Sequence, residues 1–175
     1  MKKFELTNEF ITNRFGTKLF RIRALVEFGD VEAGELGGYV EKESNLGHDD
    51  NAWVYDNAWV YGNAQVSGDA QVSGDALVYG NARVYGNALV CGDARVCGDA
   101  RVCGNGDYAY AHGFGSVNRT TTFFRLKDGG VGVRCGCFYG TLAQFRDKIR
   151  ETHGETKKAQ EYLMLADLMK LRFEK

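Results

Sequence analysis

From Asn51 the chain reads NAWVYD, NAWVYG, NAQVSG, DAQVSG, DALVYG, NARVYG, NALVCG, DARVCG, DARVCG, nine uninterrupted hexapeptides. Alanine holds the second position of each, from Ala52 to Ala100, and valine the fourth, from Val54 to Val102. Residues two apart on an extended chain project to the same side, so alanine and valine share one face of a short strand. The positions between and after them vary among Trp, Gln, Leu, Arg, Tyr, Ser and Cys, as outward positions do, and this puts Ala and Val in the interior. Each hexapeptide closes on Gly, Asp56 excepted, and the next opens on Asn or Asp, types that accept the positive φ of a tight corner. A single hexapeptide buries almost nothing. Stacked coils pair edge to edge and pile valine on valine, so stability is a nearest-neighbour sum. The period itself leaves open how many sides a coil has and which way it winds.

The aliphatic residue, two-residue corner and small residue resemble the hexapeptide signature of left-handed parallel β-helices. That resemblance implies three hexapeptides per coil, 18 residues per turn, a left-handed winding and commonly a homotrimer. The expected fold is therefore mainly β: an N-terminal cap (1–50), a β-helix of about three coils (51–106) and a small C-terminal α+β domain (107–175). Three coils stand only about 14 Å tall, with two open sheet edges for the flanking segments to cover. Residues 1–50 also resemble the N-terminal pattern of phage and prophage hexapeptide proteins, through Leu19-Phe20-Arg21-Ile22-Arg23-Ala24, Gly34-Glu35-Leu36-Gly37-Gly38-Tyr39-Val40 and Glu43-Ser44-Asn45-Leu46. This likeness implies an origin in a mobile element and no particular chemistry.

An 18-residue turn sorts the outward side chains into three columns. The first holds Trp53, Tyr55, Gln71, Ser73, Leu89 and Cys91; the second Trp59, Tyr61, Leu77, Tyr79, Arg95 and Cys97; the third Gln65, Ser67, Arg83, Tyr85, Arg101 and Cys103. The second is the most apolar and is expected to be a subunit interface. The third stacks Arg83 beneath Arg101 beside Tyr85, a possible groove for an anion. Cys91, Cys97 and Cys103 lie on different faces, too far apart for disulfides and expected outward.

After the repeats, Gly106–Thr122 mixes Gly, Ser, Asn, Arg, Thr and aromatics and reads as a polar loop. A β-hairpin is expected from 120–126 and 131–138 about Lys127-Asp128-Gly129-Gly130, whose glycines suit a turn. Thr141 and Gln144 make a capping box that opens a helix with Leu142, Phe145 and Ile149 on one face and His153-Gly154 at its end. A second helix over 156–173 is apolar at Ala159, Tyr162, Leu163, Ala166, Met169 and Leu171. With Leu165 and Leu168 its stripe is wide enough to meet another subunit or the prism wall.

Charge narrows the function classes. Residues 107–175 carry 12 basic and 8 acidic groups, against 7 and 10 in 1–50 and 3 and 5 in 51–106. An excess of four is compatible with a small anion and thin for a nucleic acid. The N-terminus has no signal-like apolar run, and no stretch of about 18 apolar residues occurs, so a cytoplasmic protein off the membrane with reduced thiols is expected.

Hexapeptide acyltransferases use a histidine base on or beside a coil, and residues 51–106 contain none. His48 and His112 flank the repeat, and His153 fits a helix end. Cys135-Gly136-Cys137 is a weak metal motif, with packing the better reading. No catalytic residue, metal or cofactor is assigned. The span His112, Ser116, Asn118, Arg119, Thr120, Thr121, with Tyr110 before it and Arg134 after it, offers hydroxyls, glycine amides and guanidinium groups that could hold a phosphate while an aromatic stacks on a base. With Arg83, Tyr85 and Arg101, these are the candidate ligand-binding residues. The favoured function is a non-catalytic binding protein for a small anionic, nucleotide-like ligand, able to sequester a host defence signal. A structural or protein-binding module and an acyltransferase-like enzyme stand as alternatives.

Overall fold

A hexapeptide leaves room for only two ladder residues between its corners, and this sets the grain of the structure. The chain is described here by a computed structural model covering residues 1–174. It begins with an antiparallel hairpin, β1 (Phe4–Thr12) and β2 (Lys18–Ala24), followed by β3 (Leu36–Val40). Nine two-residue rungs follow: β4 (Trp53–Val54), β5 (Trp59–Val60), β6 (Gln65–Val66), β7 (Gln71–Val72), β8 (Leu77–Val78), β9 (Arg83–Val84), β10 (Leu89–Val90), β11 (Arg95–Val96) and β12 (Arg101–Val102). Rungs 18 residues apart pair in parallel, Trp53 with Gln71, Trp59 with Leu77 and Gln65 with Arg83, so each turn of this β-solenoid has three sides. The Ala and Val columns are wholly buried. Corner glycines from Gly62 to Gly98 hold φ between 61° and 69°. A Cβ on Gly80 would come 2.9 Å from the Gly98 nitrogen, so both the φ and the coil spacing require glycine there. Asp56, the odd corner, takes φ 53° and accepts a bond from Gly74 N–H at 2.9 Å.

Coil-to-coil hydrogen bonds all run one way. Trp59 N–H donates to Ala76 O, Leu77 N–H to Ala94 O and Arg83 N–H to Ala100 O, each at 2.9 Å. The first coil is left with unpaired carbonyls and the last with unpaired N–H groups, and buried backbone groups must find partners. The N-terminal segment supplies donors. Tyr39 N–H reaches Ala58 O at 2.9 Å and Gly47 N–H reaches Val66 O at 2.8 Å. The buried Asn45 amide gives to Ala64 O at 2.8 Å and Gly62 O at 3.2 Å, while the Lys3 ammonium gives to Ala52 O at 2.8 Å and Asp50 O at 3.2 Å. β3 and Leu46 thereby add a rung to two of the three sides. On the third side Phe4 and Phe28 cover Trp53 edge-on, at 6.2 and 5.3 Å.

The far end supplies acceptors. Asn105 Oδ1 takes Leu89 N–H at 2.9 Å, the Tyr108 hydroxyl Cys91 N–H at 3.3 Å, Thr122 Oγ1 Arg95 N–H at 2.9 Å and Asp107 Oδ2 Cys103 N–H at 3.0 Å. These groups belong to, or lead into, a four-stranded antiparallel sheet in the order β13 (Tyr108–Phe114), β14 (Arg119–Arg125), β15 (Val131–Cys135), β16 (Phe138–Thr141). Two helices complete the chain, α1 (Leu142–His153) and α2 (Lys157–Phe173). On β14 the two-residue alternation separates two cores. Phe124 joins the solenoid core, while its neighbour Phe123 joins Val133, Phe145, Ile149, Tyr162 and Met169 beneath the helices. The sheet is a layer between prism and helices. No helix among the described residues is long and apolar enough to cross a membrane.

Several sequence expectations need correction. The segment read as a polar loop, 106–122, is mostly strand: β13 and β14 turn at Asn118, whose φ is 49°. The hairpin plus two helices is a four-stranded sheet plus two helices, because 131–138 breaks into β15 and β16 at Gly136-Cys137. Trp53 and Cys97, expected outward, are buried because the two caps fold over those positions. The capping box holds, with Gln144 N–H on Thr141 Oγ1 at 3.2 Å and Thr141 N–H on Gln144 Oε1 at 2.9 Å. On α2 the buried face uses Leu165 and Phe173, and Leu171 lies outside with Met164 and Leu168.

Asn45→Ala leaves two inward carbonyls without their side-chain donor, and should destabilise the fold by about 1–3 kcal/mol, seen as a lower urea midpoint at constant m. Burial pulls the Lys3 ammonium from 10.5 down to about 8. Between those values the unfolded chain holds the extra proton, so this group's contribution to stability rises with pH over that window. The stability difference between wild type and Lys3→Met should grow from pH 8 to pH 10 and be flat below pH 7; a flat difference throughout would refute the linkage.

Candidate functional site

The second face of the solenoid is the outer surface of β5, β8 and β11, one continuous sheet with the N-terminal hairpin. Register makes its side chains stack. Tyr79 lies one coil above Tyr61, and their rings are parallel within 3° at 5.1 Å. Trp59 and Leu77 stand beside them, and Arg95 occupies the next rung. The C-terminal sheet closes the upper end by covering Cys97, whose thiol burial pushes up. Burial also raises the Tyr79 phenol.

The lower wall is the β1–β2 turn. Asn13 Oδ1 accepts from Phe15 N–H at 2.9 Å and Thr17 N–H at 3.0 Å, and Asn13 N–H donates to Thr17 O at 3.0 Å, which fixes the tip. Phe15 is thus held 73% exposed, with the Arg14 guanidinium 4.8 Å from its ring. On the other side stands Arg134 of β15, opposite Tyr139 of β16. Its Nε is buried without a hydrogen-bond partner among the described residues.

Together these elements enclose a groove of about 360 Å³ lined by Arg14, Arg95 and Arg134, by Trp59, Tyr61, Tyr79 and Phe15, and by no carboxylate. Burial raises the Tyr61 phenol, and the same three guanidinium groups pull it the other way, so their fields converge on its hydroxyl. None of the three forms an ion pair among the described residues. An aromatic floor under unneutralised guanidinium groups suits a planar anion, by stacking and by charge-assisted hydrogen bonds.

The residues singled out from sequence are dispersed over the molecule. Only Arg134 reaches this groove. Arg83 and Arg101 are paired rungs on the third face, where Tyr85 also projects, and line a shallow hollow with Asp99. Arg101 is already engaged, donating to Asn81 O at 2.9 Å and Ala100 O at 2.8 Å. Ser116 and Arg119 line a cleft of about 280 Å³ with Lys148 and His153. That cleft suits an anion less well, since Lys148 pairs with Glu151 at 2.9 Å and the C-terminal end of α1 faces it. Asn118 forms the turn, His112 Nδ1 lies 2.8 Å from Thr120 Oγ1, and the buried Thr121 hydroxyl donates to Cys135 Sγ at 3.2 Å. The Tyr110 hydroxyl seats on the Gly92 corner, where a Cβ would overlap it. Trp59, Tyr61, Tyr79 and Arg95 were visible as a column and read as an interface; nothing in the sequence pointed Arg14 and Phe15 toward them.

The histidines have structural surroundings. His48 stacks on Phe4 at 4.4 Å and accepts from Lys3 N–H at 3.2 Å, and His153 stacks on Tyr162 at 5.9 Å. The groove is lined by no imidazole.

Trp59 is the groove tryptophan and Trp53 the buried one. Iodide, drawn in by the arginines, should quench part of the tryptophan emission, and Trp59→Phe should abolish that part; quenching that survives the substitution would mean the groove is closed in solution.

Comparison with known proteins extends to the repeats. Residues 52–68, 70–84, 78–92 and 82–98 match the YdcK beta solenoid repeat model. The chain is 37% identical over 62 residues to a protein of Escherichia coli (strain K12) described as uncharacterized acetyltransferase YdcK, a match covering 31% of this chain and 19% of that protein's length. These likenesses fall within the repeats and, with the coil register, support a hexapeptide-like β-solenoid there.

Proposed function

We propose that the protein is a non-catalytic binding protein whose second-face groove takes a small anionic, nucleotide-like ligand. One observation carries this reading: Arg14, Arg95 and Arg134 converge over stacked aromatic rings with no carboxylate among the groove's lining residues. Three unneutralised guanidinium groups repel one another, and a bound phosphate relieves that repulsion. In the mobile-element setting that the resemblance of residues 1–50 implies, such a protein would act in the cytoplasm and sequester a host defence signal. On this reading the coils wind left-handed and the chain assembles as a trimer, with a solution mass three times the 19.4 kDa of the chain.

A second reading, acyl transfer, draws support from the name of the E. coli relative. No imidazole lines the groove and His48 is engaged in the cap, so on this second reading the base would have to be His112 or His153, away from the groove. Any ligand that prefers the native state raises its melting temperature. Nucleoside monophosphates should raise it and coenzyme A should not turn over. Arg134→Ala or Arg95→Ala should weaken binding at least tenfold, about 1.4 kcal/mol, and raised salt should weaken it further. Full affinity in both variants, or acetyl transfer from acetyl coenzyme A, would overturn the reading.

A further inference from the structure

Trp59 and Leu77 are walls of two cavities at once. On one side lies the arginine groove; on the other a second hollow of about 370 Å³ that they share with Tyr39, Asn57 and Asp75. The two compartments have opposite polarity across one apolar ridge: guanidinium groups on the first side, a carboxylate and an amide on the second.

At the corner that carries Asn57 and Asp75 the coils are tied through Asp56, which accepts from Gly74 N–H at 2.9 Å, and not through these two side chains. Elsewhere, corner side chains tie successive coils together: Asn51 donates to Asp69 at 2.8 Å, Asn63 to Asn81 and Asn81 to Asp99 at 3.4 Å. Among the described residues the Asn57 amide and the Asp75 carboxylate enter no such bond, and Asp75 is exposed. Tyr39, by contrast, is committed, donating to Glu9 at 3.0 Å and accepting from Arg21 at 3.0 Å. Asp75 is therefore the free carboxylate of this compartment.

Resting on the nucleotide reading above, we propose that the ligand is a guanine nucleotide, its base lying on the Trp59–Leu77 ridge, its phosphate among the three arginines and its Watson–Crick edge on Asp75. From Asp75 to Tyr79 the rung spans about 13 Å at strand rise, on the scale of an extended nucleoside monophosphate. A carboxylate only accepts hydrogen bonds. Guanine offers two adjacent donors, N1–H and the 2-amino group, which a carboxylate takes together. Adenine offers one donor beside the N1 lone pair, and xanthine replaces the 2-amino group with a carbonyl; both set an acceptor against the carboxylate. A site built around such donors rejects analogues that lack them.

The test titrates the full chain with GMP, IMP, AMP and XMP, reading Trp59 fluorescence and melting temperature. GMP should bind at least tenfold tighter than AMP and XMP, and IMP, which lacks only the 2-amino group, should fall between. Asp75→Asn should remove the preference for GMP over AMP and improve XMP, since an amide complements a donor–acceptor edge. Equal binding of GMP, IMP and AMP, all lost in Arg134→Ala, would leave the nucleotide reading standing and overturn the assignment of guanine. No binding of any of the four to wild type would overturn both. The IMP comparison needs no variant, so it decides the matter even if Asp75→Asn does not fold.

Discussion

The hydrogen bonds between coils point in one direction, and most of the molecule answers to that. A parallel stack ends in carbonyls at one face and N–H groups at the other, so its two caps cannot be exchanged. The N-terminal segment meets the first end with an ammonium, a carboxamide and backbone donors. The C-terminal segment meets the last with a carboxamide oxygen, a phenol, a hydroxyl and a carboxylate. The interior is built almost wholly from Ala and Val and contributes through apolar burial, with little to specify where the stack begins or stops. Specification lies in those few polar contacts. Closing both ends with side chains also denies another chain the open sheet edges on which fibres grow.

The groove follows from the same arrangement. The six-stranded sheet runs from the hairpin into the second face, and the hairpin tip lines the groove on that face. At the other end β14 must cross the same face to place Thr122 over Arg95, and this brings β15 with Arg134 to the rim. Two caps built to satisfy backbone groups thus leave a walled space between them. Its residues come from segments about 120 positions apart, Arg14 to Arg134. The rigidity of the Asn13 turn means a ligand would meet a formed wall and lose little affinity to ordering it.

The repeat was readable because every physical demand on it recurs: the interior selects Ala and Val, the corner selects Gly, and 18-residue register fixes which outward residues are neighbours. The first helix was readable because Thr141 and Gln144 mark its start chemically. The sheet was less so. β14 has polar and apolar pairs, Thr121-Thr122 and Phe123-Phe124, with both faces buried, and such a strand has no alternation to betray it. The glycines at 113 and 115 sit at φ 93° and 77° around a bulged turn and mimic a loop. The candidate residues clustered in sequence were scattered because adjacent strand residues face opposite ways: Thr120 is outward beside His112, Thr121 inward against Cys135. Arg134 was named from sequence, yet its companions Arg14 and Arg95 come from two other elements.

Because coils are interchangeable while caps are not, copy number of the repeat is a heritable dimension separate from chemistry. Unequal recombination between near-identical hexapeptide triplets would delete or duplicate 18 residues in frame, preserving register, interior and both termini. Each event would move the hairpin tip relative to Arg134 by one rung, about 4.8 Å. The cavity's length would change in discrete steps, each event adding or removing one row of its floor while Arg14 and Arg134, carried by the caps, were kept, giving a lineage of such proteins a ready route to ligands of graded size.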